Sequence, residues 1–413
     1  MLDLRREGLE WFFRLPLPNF GPKLEIDFDQ LSFTAGQAPV ENLEDLPARL
    51  KQLLDAMGIP ELEQKALAGL SLQVDSSVVY KSFLNEMAKQ GVIVERMDEA
   101  VRKYDWLKDY FGQLVRGHEH KFAALHNAFW SGGTLVRVPA GVKVKIPIHT
   151  FFIMQTPSTG QMEHTIIIAE PGSYVHYMEG CTAPVFSRTS LHVGGVEVYV
   201  MEEAHVRFTS VQNWTDNIYN LPTKRAVVDR GGIMEWVSGT LGSRATMLYP
   251  TTILRGEGAR AEILSVSFAD QEKVLDTGAN AIHVAPNTSS RIISKSVVKD
   301  RGVANFRGKV KATNAAKGAR GFVRCDTLHL SRESKSETYP VLVAENDDVE
   351  LSHEAAVGRV SEEKLFYIMS RGFSEEEATA ILVNGFLSPV LKELPDEFAR
   401  EFSKVLELSI KGM

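Results

Sequence analysis

Thr134-Leu-Val-Arg-Val138, Val142-Lys-Val-Lys-Ile146, His164-Thr-Ile-Ile-Ile168, Val196-Glu-Val-Tyr-Val200 and Ile292-Ile-Ser-Lys-Ser-Val-Val298 are short apolar or alternating runs. Gly, Asn, Asp and Pro separate them, and no long helical period intervenes between about Phe129 and Val360. A period of two bounded by turn residues is the signature of strands. So many strands without crossover helices exclude a doubly wound sheet. Pattern alone leaves a sandwich, a barrel and a β-solenoid open, because solenoid coils can be too dissimilar to read as repeats.

Both flanks read as helical. Upstream, Leu43, Leu46, Leu50, Leu53 and Leu54 share one helical face, closed by Gly58-Ile-Pro60. Glu61 to Leu70, the stretch from Tyr80 to Met87, and Met97 to Val115 are expected to be helices too, the last ending at Gly117. Pro16, Pro18 and Pro22 mark an extended first segment. Downstream, Ser361 starts a helix that Gly372 ends, and Ser374-Glu-Glu-Glu377 is a capping box for a helix ending near Gly385. Pro389 is expected in the first turn of a third helix. Pro395 precedes a fourth, with Phe398, Phe402, Val405 and Leu406 as its stripe. The expected organisation is a mostly helical region at 1–128, a β body at 129–360 and a helical region at 361–413.

The chain has 413 residues with 44% hydrophobic and 24% charged content, which places it among ordinary globular proteins. Its 46 basic and 53 acidic side chains give a net charge of −7 without a basic cluster, which argues against nucleic acid or an anionic membrane as partner. No apolar run approaches the roughly 18–20 residues of a membrane span, and the first residues lack the apolar stretch of a secretory signal. Two cysteines cannot make a disulfide framework, so a cytoplasmic location is expected.

Chemistry is sparse. A P-loop and a G-x-S-x-G elbow are both missing from the sequence, and Gly256-Glu-Gly258 lacks the strand–helix context of a nucleotide fingerprint. His118 and His120, two apart, would diverge on a helix. His164 and His176 with Glu163 and Glu170 lack the close His pair of a cupin-type metal site. His353-Glu354 is not followed by the second His of a zinc protease, since position 357 is Val. The carboxylate pairs Asp347-Asp348 and Glu202-Glu203 could suggest a solenoid carbohydrate-active enzyme, but adjacent strand residues face opposite ways. The cysteines say more. Cys181 ends a strand in Glu179-Gly-Cys-Thr-Ala-Pro184, and Cys325 lies inside an alternating pattern beside Arg324, a neighbour that could favour the thiolate. Cys325 and His353 are separated by about one solenoid coil. That spacing could stack thiolate, imidazole and the Glu354 carboxylate into a mixed donor set suited to iron or a labile iron–sulfur cluster.

These residues carry a family likeness. Val74-Asp-Ser-Ser-Val-Val-Tyr80, Tyr177-Met-Glu-Gly-Cys-Thr-Ala-Pro184, Gln212-Asn-Trp214 with Tyr219-Asn-Leu221, Cys325-Asp-Thr-Leu328, Ser336-Glu-Thr-Tyr-Pro340, His353-Glu-Ala355 and Phe366-Tyr367 with Arg371-Gly-Phe373 resemble the SufB/SufD scaffolds of iron–sulfur cluster assembly, SufB more closely than SufD. The resemblance runs in order from about residue 40 to residue 395. It implies a right-handed parallel β-helix flanked by helices, and a scaffold rather than an enzyme, with ATP hydrolysis on the ABC-type partner SufC. It also implies SufD or a second SufB-like copy joined through the β-helix, and a cysteine desulfurase or sulfur shuttle as donor. Carried onto this chain, it assigns assembly of a transient 4Fe–4S cluster to Cys325, His353 and Glu354, sulfur acceptance to Cys181, and the internal sulfur path to Gln212 and Trp214. Phe366, Tyr367, Met369, Arg371 and Phe373 would contact the ATPase, or else pack the tail onto the β body. A flavin as electron source stays open. Two positions depart from the family pattern: Ser352 stands where a Glu precedes the His-Glu pair, and Ile153 where an arginine is expected. The first keeps a SufD-like role without its own cluster as the alternative.

Overall fold

The computed structural model describes residues 1–33, 69–74, 77–83, 85–154, 158–183, 188–394 and 396–410. Two long sheets face each other as the walls of a parallel β-solenoid of about 8 turns. The first wall runs, strand beside strand, through Gly69–Val74, Ile148–Ile153, Tyr174–Thr182, His205–Trp214, Ile233–Gly242, Arg260–Ala269, Ser289–Val298, Ala319–His329 and Val349–Arg359, all parallel. Strand Ser77–Phe83 closes its beginning in an antiparallel hairpin with Gly69–Val74. The second wall starts with Ile93–Arg96 antiparallel to Thr134–Val138 and ends at Lys335–Ala344.

One turn chemistry recurs where coils pass between the walls. Gly172, Glu203, Gly231, Gly258, Asn287 and Gly318 all have φ between +54° and +70°, a region that favours Gly and Asn. Each donates its backbone N–H to a carbonyl of the following coil: Gly172 to Glu202, Glu203 to Arg230, Gly231 to Glu257, Gly258 to Pro286, Asn287 to Lys317 and Gly318 to Asp348, at 2.7–2.9 Å for five and 3.1 Å for Gly258. This ladder of corners is the repeat that sequence identity hides.

Strand alternation sends one set of side chains inside. Tyr177, Phe208 and Trp236 stack in register at 5.2 and 5.0 Å, and Ile263, Ile292 and Val323 continue their column. With Val196, Val198, Ala226 and Val228 from the other wall they make one continuous core. The outer face of the first wall is apolar as well, because a second layer covers it. Val383, Leu387, Val390, Phe402 and Leu406 from helices Glu375–Leu391 and Asp396–Ile410 pack on Met178, Val211, Val237, Leu264, Val266 and Val297.

Several expected elements differ. Tyr80 to Phe83 is strand, and only Asn85–Lys89 is helical after it. The expected helix at 41–54 lies outside the described residues, and of the one at 61–70 the described part is strand. Met97–Lys103 is a helix, but the chain breaks at Tyr104 into a short 3₁₀ turn at Asp105–Asp109, where Trp106 and Tyr110 spread over Tyr104 and Tyr199. The first segment begins with a helix, Leu2–Arg14, held by Phe12 in an aromatic cluster, before the proline-rich stretch. Val142–Ile146 makes only an isolated bridge, with the strand starting at Ile148. The capping box at Ser374 and Glu377 is present, but its helix runs through Gly385 and Pro389 to Leu391. Pro389 forfeits only the hydrogen bond to the Gly385 carbonyl, and burial of Val383, Leu387 and Val390 on the sheet carries the helix past both residues.

Candidate functional site

On strand Tyr174–Thr182 the inward residues are Val175, Tyr177, Glu179 and Cys181, so the Glu179 and Cys181 side chains project into the same interior, both about 2% exposed or less. The next coil places Ser210 beside Glu179 and Gln212 beside Cys181. The Gln212 amide Nε2 donates to Glu179 Oε1 at 3.0 Å and lies 3.1 Å from Cys181 Sγ. Trp214 Nε1 donates to Gln212 Oε1 at 2.9 Å, which fixes the amide's orientation. From the opposite wall Lys224 reaches across the interior, its Nζ 2.8 Å from Glu179 Oε1 and 3.1 Å from Ser210 Oγ, with 3% of its side chain exposed. Behind Trp214 the His192 ring lies at 4.7 Å, between Glu163 Oε1 at 2.5 Å and Asn220 Oδ1 at 2.7 Å.

This is a charge-balanced, water-poor pocket. Burial, with Glu179 and Glu163 adding to it, pushes the Cys181 thiol well above its ordinary range, and Lys224 and Gln212 oppose the shift. For His192 burial works against the charged ring, but Glu163, Asn220 and Glu179 outweigh it and raise the pKa.

From there the register draws two polar columns along the inside of the first wall. One runs Glu179, Ser210, Ser238, Ser265, Ser294, Cys325. The other runs Cys181, Gln212, Thr240, Ser267, Ser296, Thr327, with Ser267 Oγ donating to Ser296 Oγ at 2.8 Å. At about 4.8 Å per parallel strand, the five steps between the cysteines' strands span about 24 Å. Hydroxyls therefore line the interior between the two sulfurs where the neighbouring column is aromatic and aliphatic.

Cys325 sits near the far end, 4% exposed. Its Sγ is 3.5 Å from His353 Nε2, 3.7 Å from Thr338 Oγ1 and 3.9 Å from the Glu354 backbone carbonyl. Burial raises this thiol too, Thr338 opposing the shift and Asp326 adding to it, and burial lowers the His353 pKa. The Glu354 carboxylate does not join them. It points out of the solenoid and lies 3.5 Å from Arg324 Nη1, since neighbours on one strand face opposite sides. The expected stack of thiolate, imidazole and Glu354 carboxylate is thus split, two groups inside and one outside. Arg324 likewise faces out, bound to Asp326 and Glu354, and does not reach the thiol. Ser352, on the outer face, lines a groove of about 610 Å³ with Glu350, Arg291 and Arg320. Among the described residues, no three or more His, Cys, Asp or Glu side chains converge as a metal site.

The other candidates are dispersed. His164 Nδ1 meets His126 Nε2 at 2.8 Å and its Nε2 meets Glu197 at 2.9 Å, while His176 bonds Thr209 at 2.9 Å and Glu170 pairs with Arg137. His120 caps helix Lys121–Phe129. Phe366, Tyr367, Met369 and Phe373 are exposed, Phe366 at 74%, and none of them belongs to a core cluster of the described residues. Arg371 lies over the Tyr367 ring at 5.1 Å. Ile153 packs in the layer under the C-terminal helices rather than in the interior. The solenoid ends open: no strand of the described residues covers Lys335–Ala344 or Val349–Arg359, which leaves Val357 61% exposed.

Residues 152–386 match the SufBD core domain of the SUF system for FeS cluster assembly, and residues 59–150 match the SufBD N-terminal region. The chain belongs to the SufBD family. It is 47% identical to an iron–sulfur cluster assembly SufBD family protein of Staphylococcus epidermidis, over all of this chain and 90% of that protein. The figures for the Staphylococcus saprophyticus relative are the same, and a Staphylococcus aureus relative is 46% identical with equal coverage. In this SufBD chain sequence reasoning missed Lys224, Thr338, the serine column and the Glu163–His192 pair, and gave Glu179 no role. Counting inward positions from each cysteine would have found the serines once the coil length was known.

Proposed function

We propose that this SufBD protein is a SufB-type scaffold subunit that accepts persulfide sulfur at Cys181 and builds a transient iron–sulfur cluster, as cargo, where Cys325 and His353 meet. The observation that carries the reading is the pair of buried cysteines, with hydroxyl columns running between their strands beside the apolar column of Tyr177, Phe208, Trp236, Ile263, Ile292 and Val323. Sulfur moves by thiolate attack on a sulfane sulfur, which needs a thiol at each end and tolerates polar, protonic walls between them. Two donors at Cys325 are too few to hold a cluster permanently, which suits a scaffold that must release it. The open last coil beside them supports completion of the ligand set by a second chain, with strand edges free to pair across it. Glu354, turned outward, would serve from the outer face of that junction.

The exposed Phe366, Tyr367, Met369, Arg371 and Phe373 fit an ATPase of the SufC type, whose closure would bias the junction between open and closed arrangements. With no P-loop in this sequence, nucleotide chemistry would fall to such a partner. Ser352 favours the second reading, a SufD-like subunit without its own cluster. Anaerobic reconstitution with iron and sulfide separates the two. The scaffold reading expects visible thiolate-to-iron absorption and bound iron in the wild type, both lost in Cys325→Ser. No cluster in either protein, with the ATPase partner still bound, supports the SufD-like reading.

A further inference from the structure

Glu179 is a carboxylate 2% exposed on the same strand as a thiol 1% exposed, and the Cys181 S–H donates to its Oε1 at 3.7 Å. Three groups converge on that oxygen: the thiol, the Gln212 amide and the Lys224 ammonium. Were Glu179 only a counter-ion for Lys224, its carboxylate would be satisfied without the cysteine. The Cys181 S–H directed at the Glu179 carboxylate on the inward side makes a direct proton path between them, and the Gln212 amide, donating to both, holds them in place. The titratable groups facing the thiol are Glu179 on its own strand, Lys224 from the opposite wall, and Glu163 with its partner His192.

Charge counting gives the path its direction. With thiol, carboxylate and ammonium the pocket is neutral. Losing the thiol proton to solvent would leave two anions against one cation in a site with almost no water, an expensive state. Passing the proton to Glu179 instead keeps the count at zero, because Lys224 can pair with the thiolate in place of the carboxylate. We propose that Glu179 is the catalytic base of sulfur acceptance, taking the Cys181 proton as the thiolate forms while Lys224 supplies the fixed cation. This rests on the reading of Cys181 as sulfur acceptor and assigns its chemistry. The step balances without an oxidant: the Cys181 thiolate attacks the outer sulfur of a persulfide donor R–S–SH, a new S–S bond forms at Cys181, and the donor's S–S bond breaks. The electron pair leaves on the donor thiolate, and the Glu179 proton neutralises it, giving R–SH and Cys181–S–SH.

The test is the rate at which inorganic polysulfide converts Cys181 of the full chain to a persulfide, followed by quench and peptide mass mapping between pH 6 and 9, with Cys325 as internal control. Glu179→Gln should slow Cys181 at pH 7 by about a hundredfold, the scale of general base catalysis, and make its rate climb about tenfold per pH unit as solvent hydroxide takes over. Glu179→Asp should recover part of the rate, and Cys325 should be unchanged. Because Glu179→Gln strands a buried ammonium, the charge-neutral pair Glu179→Gln with Lys224→Met is made alongside and should be at least as slow, since it also lacks the cation that pairs with the thiolate. An unchanged Cys181 rate and pH profile in the folded variants overturns the assignment. A wild type in which Cys325 takes sulfur and Cys181 does not overturns the acceptor reading beneath it.

Discussion

The two cysteine sites use the same strand chemistry to opposite ends. Cys181 is enclosed by Gln212, Trp214, Glu179 and Lys224, whose polar atoms largely satisfy one another. Cys325 lies under a last coil whose inward residues are half open, with one imidazole and one hydroxyl for company. A site that moves protons and sulfur benefits from fixed charges and little water, whereas a site that loads and releases cargo benefits from an incomplete shell. On the proposed reading, the position of each cysteine along the solenoid decides which of these roles it takes. Several strands of the first wall flank the Cys181 strand on either side, whereas only Val349–Arg359 lies between the Cys325 strand and the open end.

The contrast can be broken first at Lys224. Lys224→Met leaves Glu179 buried without its cation, and urea unfolding should show a loss of about 3–5 kcal/mol. A loss below about 1 kcal/mol would mean the pocket is wetter than its geometry indicates. A second, smaller effect is in pH. The raised pKa of His192 means that the folded state binds its proton more tightly than the unfolded one. The stabilisation by Glu163 is therefore complete below the unfolded value of about 6.5 and fades as pH rises through the raised folded value. The urea midpoints of wild type and His192→Gln should converge between pH 6 and pH 9. No comparable convergence is expected for His353→Ala, whose ring has no carboxylate partner among the described residues and a pKa lowered by burial.

At the open site stability and function should separate. His353→Ala is expected to change unfolding free energy by less than about 1 kcal/mol, while iron retained after reconstitution falls. The smallest effect on stability is expected at the tail. Phe366→Ala, at a side chain 74% exposed, should shift unfolding by no more than about 0.5 kcal/mol. Co-purification of an ATPase partner should nevertheless weaken.

Much of this molecule can be read from its sequence, and the limits have physical causes. Alternation in Val196–Val200 marks a strand because inward Val196, Val198 and Val200 alternate with Glu197 and Tyr199, whose polar groups bond the segment covering the outer face. The helix starts at Ser361 and Ser374 are legible because capping is local. Helix ends are not: the sheet under Val383, Leu387 and Val390 overrides Gly385 and Pro389. The strand at Tyr80 is likewise set by pairing with Gly69–Val74, which no local pattern announces. The cysteines, Gln212 and Trp214 are visible as family motifs. Glu354 was placed with them because spacing gives the coil but not the face, and a one-residue difference on a strand reverses direction. Lys224 was invisible because it comes from the opposite wall, and the serines because hydroxyls acquire meaning only once their register is known.

The most direct test is cluster formation with two sulfur sources. Wild type, Cys181→Ser and Cys325→Ser are reconstituted anaerobically with iron, once with a persulfide-charged cysteine desulfurase and once with free sulfide. Visible absorption and bound iron are read in each case. The division of labour between the sites predicts that Cys181→Ser fails with the persulfide donor but succeeds with free sulfide, and that Cys325→Ser fails with both. Cys181→Ser building its cluster from the persulfide donor at the wild-type rate would contradict it.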